Sequence, residues 1–301
     1  MIKTLSQLGE FGFIDQMKKI FPISQRVMKG IGDDAAVVAL SPSKYLLLTT
    51  DLFIENVHFT RRMDPKAIGH KVMSCNISDI AAMGGLPQYA LISLGVPANL
   101  SLKFLNHIYA GIAQTAKKFG VSVVGGDTVK SDKIVINIAL VGEVKKKQLV
   151  LRSGAKVGDS IFTTGPLGNS FKSDWHLRFT PRILESQYLV KNFRPTAMID
   201  VSDGLAADLG HILKQSQVGA VIYEDRIPKR SSTTLSQALY DGEDFELIFT
   251  LSSKDALKLD RSKIKNFSFY QIGEIVQEQK LYLVDRRGNK KNLARKGYTH
   301  F

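Results

Sequence analysis

The sequence has almost no cysteine and no long apolar segment. Cys75 is the only cysteine among 301 residues, so no disulfide can form within the chain. No stretch reaches the roughly 18 apolar residues that a transmembrane helix needs. The start, MIKTLSQLGEFGF, has no apolar core of roughly 7–15 residues like that of a signal peptide. We therefore expect a cytoplasmic protein with no membrane association and a buried, structural thiol.

Several catalytic signatures are also missing. The sequence contains no G-x-S-x-G nucleophile elbow, no protein-kinase catalytic loop and no His/Cys cluster with zinc spacing. The glycine-bearing segment TTGPLGNS at 163–170 lacks the GK[ST] ending of a Walker A loop. These absences disfavour covalent nucleophilic catalysis and zinc chemistry. Phosphoryl transfer stays open, because it depends mainly on positioning and electrostatic stabilisation.

The chain is basic, with 41 Lys and Arg against 28 Asp and Glu and a formal charge of +13. The longest basic run is Lys145–Lys147, and the densest basic patch spans 286–296. Neither is interleaved with aromatic residues, as a single-strand nucleic-acid surface would be. We therefore expect no nucleic-acid partner. A nucleic-acid-binding protein remains an alternative, which tight, steeply salt-dependent binding to DNA or RNA would support.

The pattern of apolar residues predicts a two-domain α/β or α+β protein. Predicted strands cover residues 45–50, 88–96, 121–124, 134–144, 160–164, 197–199, 219–222, 245–250 and 280–284. Predicted helices cover 65–83, 101–119, 205–215 and 254–259. The turn-rich segment RSGAKVGD at 152–159 separates two halves that each mix strands and helices. We predict an N-terminal domain at 1–148 and a C-terminal domain at 149–301.

Acidic residues of this basic chain lie beside short apolar runs and glycines. They are Asp33, Asp34, Asp51, Asp79, Asp127, Asp200, Asp203, Glu243, Asp244 and Glu246. Carboxylates that converge at strand ends repel one another unless they share a cation, and Mg²⁺ prefers such oxygen ligands. Taken singly, each could be a turn or cap residue, and Asp208 is expected to be an exposed helix residue. Together they predict a site for metal and phosphate.

At these residues the sequence resembles the thiamine-monophosphate kinase family. The segments that carry the resemblance are GIGDDAAVV, TTDLFIENVHF, NISDIAAMGGLPQYALISLGVP, VGGDT, RSGAKVGD, TGPLGNS, IDVSDGLAADLGHIL and GEDFELIF. They occur in this order and, with the KGYTHF ending, span nearly the whole chain. The resemblance implies the fold of aminoimidazole ribonucleotide synthetase, with two α/β domains and a homodimer whose N-terminal sheets form a barrel. It implies direct in-line transfer of the γ-phosphoryl group of ATP to thiamine monophosphate, with several Mg²⁺ ions.

The resemblance also implies roles for individual residues. Metal ligands or their close neighbours would be Asp33, Asp34, Thr49, Thr50, Asp51, Asp79, Asp127, Asp200 and Asp203. ATP contacts would be Gly126, Asp127, Arg152 and Ser202, and substrate contacts would be His58, Glu243 and Tyr298. Catalysis would rest on Asp51, Asp127, Arg152 and Asp203. Tyr109 is a weaker adenine-side candidate, whereas Trp175 and His176 are interpreted as packing or local surface residues.

Some features leave other activities open. YDGED replaces the more usual GGED, and the connections at 171–177 and 226–242 are short, which affects the substrate-side loops more than the metal site. An aminoimidazole ribonucleotide synthetase or a hydrogenase-maturation protein would use ATP to activate an amide or carbamoyl oxygen instead. A nucleotide-binding scaffold without catalysis is the third alternative, and the retained acids argue against it.

Overall fold

The structure is a computed structural model that describes residues 4–262 and 267–300. The first half contains α1 (Leu5–Leu8), α2 (Glu10–Met17), β1 (Val27–Lys29), β2 (Ala36–Ala39), β3 (Lys44–Ile54), α3 (Pro65–Ala82), β4 (Leu86–Val96), α4 (Leu102–Phe119), β5 (Ser122–Lys130) and β6 (Val135–Lys145). The second contains β7 (Ser160–Thr163), α5 (Ile183–Asn192), β8 (Ala197–Asp200), α6 (Leu205–Ser216), β9 (Gly219–Tyr223), α7 (Leu235–Tyr240), β10 (Leu247–Leu251), α8 (Ser253–Arg261), β11 (Tyr270–Val276), β12 (Leu281–Val284) and β13 (Lys290–Asn292). The predicted α/β class with two mixed halves is confirmed.

The first half is built on a six-stranded sheet in the order β1-β2-β3-β6-β4-β5. Only β4 and β5 run parallel, and the other neighbours are antiparallel. Alternate residues of β3 point to opposite faces: Leu47 and Phe53 are buried, whereas Leu48 and Leu52 are exposed. The helices α3 and α4 therefore cover one face of this sheet, and the other face presents apolar side chains.

The second half is built on a seven-stranded sheet in the order β13-β12-β9-β11-β7-β10-β8. Its strands β8, β9 and β10 are almost wholly buried. Packed against it is α6, whose apolar side chains join those strands in one core. The last strand of the first sheet ends at Lys145, and the second sheet begins at Ser160. The division at 148/149 falls in this connection and stays a prediction.

The helix α3 joins the two halves. Asp64 caps its first turn by accepting a hydrogen bond from the Lys66 N–H at 3.1 Å, and Pro65 suits the first helical position. Most of its side chains are buried, and it packs against β3 and β6 on one side and against α5 and β8 on the other. A helix buried nearly all round is well placed to carry polar side chains into an interior site.

All predicted strands and helices are present, with ends that move by a few residues. The sequence did not predict β1, β2, β11, β13, α1, α2, α5 and α7, most of which are short or lack a regular apolar period. The strand predicted from Phe245 begins at Leu247, because Glu243 and Phe245 have φ values of 53° and 50°, which a strand does not allow. Cys75 is a free, buried thiol, as expected. Among the described helices, none has the length and apolar character that crossing a membrane requires.

Candidate active site

A cavity of about 760 Å³ lies where α3, β3, β8 and the loops of the second half meet. Its lining includes Asp34, Thr49, Thr50, Asp51, His58, Asp79, Arg152, Asp200, Ser202, Asp203, Glu243 and Tyr298. These are twelve of the fifteen residues that the sequence analysis assigned to the site. Asp33, Gly126 and Asp127 are not among the lining residues.

The cavity runs along an open edge of β3. Strand β2 pairs with β3 only as far as Leu48, and β6 pairs along the whole of its other edge. Within the described chain, no strand pairs with this edge of residues 49–54. This part of β3 therefore delivers Thr49, Thr50 and Asp51 directly to the cavity wall.

Three carboxylates from three different segments meet at one end of the cavity. Asp34 follows the glycine turn at 30–32, Asp79 lies near the end of α3, and Asp200 ends β8. One oxygen of each lies within 4.8 Å of the other two. Among the described residues, Asp34 Oδ2 is buried and has no hydrogen-bond partner. Such a set of convergent oxygen atoms, one of them unpartnered, fits a divalent cation such as Mg²⁺.

Neighbouring side chains fix the orientation of these carboxylates. The Thr49 hydroxyl donates to Asp79 Oδ2 at 2.5 Å, and the Ser78 hydroxyl donates to Asp200 Oδ2 at 2.5 Å. Because each hydroxyl occupies one oxygen, the other oxygen of each carboxylate stays available for a ligand. Ser78 was missed by the sequence analysis, although it directly precedes Asp79 in the NISDI segment.

Burial and mutual repulsion raise the pKa values of these acids. Burial, followed by repulsion from Asp34, raises the pKa of Asp200 to about 8. Burial raises the pKa of Asp51 to about 6. The pKa of Asp79 is well above its usual value because of burial first and then the charges of Asp51 and Asp200. The carboxylates of the cluster therefore lack enough positive charge nearby to balance them, and a bound cation would reduce their mutual repulsion.

Arg152 is the cation beside this cluster. Its Nη2 donates to Asp34 Oδ1 at 2.7 Å, and its main-chain N–H donates to Asp33 Oδ1 at 3.1 Å. Asp33 Oδ2 lies 3.4 Å from Lys29 Nζ. Asp33 thus fixes the main chain at Arg152 and is not one of the lining residues. Within the described chain, Arg152 Nε is buried without a partner, so the guanidinium keeps donor capacity for an anion.

Asp203 lines the cavity at the start of α6. Asp208 was expected to be an exposed helix residue, and this was wrong: it is buried, with 1% of its surface exposed. Its Oδ2 accepts from the main-chain N–H groups of Asp203 and Gly204 at 3.0 and 3.1 Å. The free N–H groups at a helix start need such acceptors, which is why this carboxylate points inward.

Gly126 and Asp127 lie on the edge strand β5. In the register of the sheet, Asp127 pairs with Ser93, Ser93 with Asn137, and Asn137 with Leu52. Three strand spacings therefore separate Asp127 from β3, about 14 Å. Because cross-strand partners share a face, Asp127 lies on the face that carries the exposed Leu52. Within the described chain, these two residues are not brought together with the acids of the cavity.

Another part of the cavity lining is aromatic and polar. His58 Nδ1 accepts from the Ile54 N–H at 3.0 Å, which leaves the ring proton on Nε2. Burial, then the charge of Lys71, lowers the pKa of His58 to about 4, so the ring is neutral at pH 7. The Tyr298 N–H donates to the Asp203 carbonyl at 3.0 Å, which fixes the C-terminal segment near the cavity.

Ten of the lining residues were missed by the sequence analysis. They include Glu10, Phe171, Asp241 and His300, which line the cavity with the predicted substrate residues. Glu10 Oε2 accepts from the His300 N–H at 3.2 Å, so the first helices and the last residues meet here. Contacts between the two ends of a chain have no signal in local sequence patterns. Tyr109, on α4, does not line the cavity either.

Two acids of the GEDFELIF segment have structural roles. Asp244 pairs with Arg230, and Glu246 Oε1 accepts from Arg182 Nη2 at 2.5 Å. Both carboxylates are fully buried and lie outside the cavity lining. Trp175 Nε1 donates to the Asp244 carbonyl at 3.0 Å, and His176 is buried beside Phe171, as expected of packing residues.

The chain is similar to known proteins over most of its length. Residues 32–144 match the AIR synthase related protein, N-terminal domain, and residues 153–286 match the AIR synthase related protein, C-terminal domain. Thiamine-monophosphate kinase of Aquifex aeolicus is 39% identical over 275 residues, which cover 82% of this chain and 87% of that protein. Thiamine-monophosphate kinase of Bacillus subtilis is 34% identical over 304 residues, which cover 90% of this chain and 93% of that protein.

A solved structure is similar over the whole chain. AaThiL complexed with AMPPCP and TMP superposes with a TM-score of 0.87 at 34% identity and covers 100% of both chains. The similarity therefore includes both sheets and the cavity between them. The chain belongs to the thiamine-monophosphate kinase family, within the AIR synthase related proteins.

Proposed function

We propose that the protein phosphorylates thiamine monophosphate to thiamine diphosphate with ATP. The observation that carries this proposal is a single cavity with two unlike ends. One end collects carboxylates and Arg152, which suits metal-bound polyphosphate. The other offers a neutral His58, the acceptor Glu243 and the exposed ring of Tyr298, which suit an uncharged aminopyrimidine and a cationic ring. The relative whose structure holds AMPPCP and TMP together supports the same assignment.

The residues present fit Mg²⁺, and we propose Asp34, Asp51, Asp79, Asp200 and Asp203 as those that would hold it. Bound there, Mg²⁺ would neutralise charge on the phosphate oxygens during transfer. Thr49 and Ser78 hold two of these carboxylates in fixed orientations. The chain's own contribution to this end of the site is therefore a set of acids that is oriented before any ligand binds.

The transfer needs no general base from the chain. The phosphate of thiamine monophosphate is already ionised at neutral pH, so one of its oxygens can attack the γ-phosphorus of ATP. A P–O bond to this oxygen forms as the bond to the β-γ bridging oxygen breaks, and ADP leaves. The difficulty is to bring two anions together, and the Arg152 guanidinium, fixed by Asp34, stands where it would bind phosphate oxygens. His58 Nε2–H would donate to the substrate.

We also propose a homodimer formed through the open face of the first sheet. On this face four residues are 42–51% exposed: Leu48, Leu52, Tyr89 and Leu91. An apolar face of this kind marks an interaction surface. In such a dimer Asp127 would face the partner, with Gly126 beside it on the same edge strand, which gives these two predicted nucleotide and metal residues a role at the interface.

The dimer proposal has a direct test. Leu91→Asp should convert the dimer to a monomer in light scattering, because it places a charge in the apolar face. Leu102→Asp, on α4 and 74% exposed, is the matched control and should leave the dimer intact. A monomeric wild-type protein, or a dimer that persists in Leu91→Asp, would contradict this interface.

The location and partners follow from the same proposal. An ATP-using biosynthetic enzyme whose single thiol is buried and unpaired suits the cytoplasm. ATP and thiamine monophosphate are the proposed small-molecule partners, with no role for nucleic acid or membrane.

The deciding experiment combines purified protein, ATP, Mg²⁺ and thiamine monophosphate, and quantifies thiamine diphosphate and ADP. We expect the two products in equal amounts and no product with a chelator. ADP without thiamine diphosphate would indicate a sister activity with another acceptor. Asp51→Ala and Asp203→Ala should lose turnover far more than stability, and wild-type turnover in either would remove that residue from the site. Glu243→Gln should mainly weaken use of thiamine monophosphate, and unchanged substrate kinetics would reject its role.

A further inference from the structure

Lys71 is a buried cation next to the substrate end of the cavity. It lies on α3 with 1% of its surface exposed, and it is not one of the lining residues. Its Nζ donates to Glu243 Oε1 and Oε2 at 2.8 and 2.5 Å and to the His58 carbonyl at 3.0 Å. An ammonium has three donors, so every one of them has an acceptor here.

The two partners of Lys71 come from different halves of the fold. His58 follows β3 of the first sheet, and Glu243 precedes β10 of the second. Both side chains line the cavity, and both are proposed substrate contacts. One ammonium therefore ties together the two walls of the substrate end.

The side chain of Glu243 needs such a constraint, because it projects from a main chain in an uncommon conformation. Glu243 has φ 53° and Gly242 has φ 70°, in the left-handed region that costs a non-glycine residue about 1 kcal/mol or more. The Glu243 N–H donates to the Ser202 carbonyl at 2.7 Å, which holds the main chain but leaves the side chain free to turn. The ion pair with Lys71 supplies the missing constraint on the carboxylate.

We propose that Lys71 is a positioning residue that holds the Glu243 carboxylate and the His58 loop in the arrangement that receives the amine-bearing ring of the substrate. This inference rests on the proposed function for the identity of the substrate. A buried ion pair costs desolvation, and an apolar side chain would fill the same volume without that cost. The contribution of Lys71 is therefore orientation of the acceptor rather than stability of the fold.

Steady-state kinetics of Lys71→Met tests the proposal. The variant keeps the length of the side chain and removes the ammonium. A hydrogen bond to a charged group contributes roughly 1.5–3 kcal/mol, so KM for thiamine monophosphate should rise about 10- to 100-fold. KM for ATP should change less than about twofold, because the nucleotide end has its own contacts. Lys71→Arg keeps the cation and should recover most of the loss.

A double-mutant cycle separates positioning from general damage. In a Glu243→Gln background, Lys71→Met should add less than about threefold to KM, because the carboxylate that Lys71 orients is already gone. Lys66→Met, on the exposed first turn of the same helix, is the matched control and should behave as wild type. An equal rise in both KM values, or a full effect of Lys71→Met in the Glu243→Gln background, would overturn the proposal. Lys71→Gln replaces Lys71→Met, with the same expectations, if the latter does not fold.

Amide hydrogen exchange on the free protein gives a readout that needs no substrate. In Lys71→Met, residues 241–245 should exchange about tenfold faster, whereas residues 197–200 of β8 should not change. Faster exchange in a protein whose wild type makes no thiamine diphosphate would refute the proposed function and leave the positioning role standing. An active wild type with unchanged exchange and unchanged KM in the variant would refute the positioning role.

Discussion

Asp200→Asn should make the metal-free protein more stable while it abolishes catalysis. Asp200 is buried, and its charge repels that of Asp34. Its pKa is raised from 3.8 to about 8, so the native state holds this proton more tightly than the unfolded state. The group therefore destabilises the fold progressively as the pH rises from about 4 to about 8.

The size of the effect follows from the same pKa values. The pKa of Asp200 is 3.8 in the unfolded state and about 8 in the native state. Its ionisation therefore lowers the free energy of unfolding by about 4 kcal/mol at pH 7 and by about 2 kcal/mol at pH 5, relative to low pH. Asparagine has nearly the same shape, can still accept from the Ser78 hydroxyl and carries no charge. The free energy of unfolding of Asp200→Asn should thus exceed that of wild type, by an amount that grows between pH 5 and pH 7.

Urea unfolding at several pH values, with EDTA present, measures this difference. Asp159→Asn is the matched control: Asp159 is also buried, and its Oδ2 accepts hydrogen bonds from the Thr196 hydroxyl at 2.6 Å and the Lys156 N–H at 2.9 Å. Loss of the charge weakens both hydrogen bonds, so this replacement should destabilise. Mg²⁺ with a nucleotide should stabilise wild type and have little effect on Asp200→Asn. A variant that is less stable than wild type at pH 7, or a difference that shrinks as the pH rises, would refute the reasoning.

Three shorter predictions concern other parts of the site. Gly242→Ala should lower the free energy of unfolding by about 1–3 kcal/mol in urea titrations, because φ is 70° and the new Cβ would lie 2.5 Å from the Ser202 carbonyl; a loss below 0.5 kcal/mol, on the order of experimental error, would contradict this. The His58 ring should show the neutral Nε2–H tautomer by ¹⁵N NMR and titrate near pH 4, so that this residue lowers stability as the pH falls from 6.5 towards 4; a midpoint above 6 would reject this environment. Burial raises the pKa of the Cys75 thiol, so a thiol reagent should label it in urea and scarcely at all in the native protein, and rapid native labelling would show that the cavity wall opens.

The sequence predicted the acids of the site better than the contacts that orient them. Asp34, Asp51, Asp79 and Asp200 stand beside glycines or apolar runs, and as a set such acids indicate a binding site. Ser78 has no comparable local signal, because its partner Asp200 lies 122 residues away. Lys71 did have one: with Asp79 it lies on one face of a helix at a spacing of eight, on an otherwise buried segment.

The error at Asp208 has a different origin. A charged residue in a helix is usually exposed, and no local pattern indicates that the N–H groups of Asp203 and Gly204 need a buried acceptor. Asp127 shows the corresponding limit for assembly: it lies on the open face of a sheet, and the proposed dimer cannot be read from the local sequence around it. Local patterns predict helices, strands and groups of acids, whereas contacts between residues distant in sequence become visible only in the folded structure.

The helix α3 also sets the length of ligand that the site can accept. Lys71 and Asp79 are eight residues apart on one rigid helix, which at 1.5 Å per residue is about 12 Å along its axis. The Glu243 carboxylate that Lys71 holds and the acids beside Asp79 are therefore held apart by a distance that helical geometry fixes. A molecule that contacts both groups must match this span, so the helix selects ligands by length. A one-residue insertion between these positions would rotate one of the two side chains by about 100° about the helix axis. A ligand could then contact only one of them.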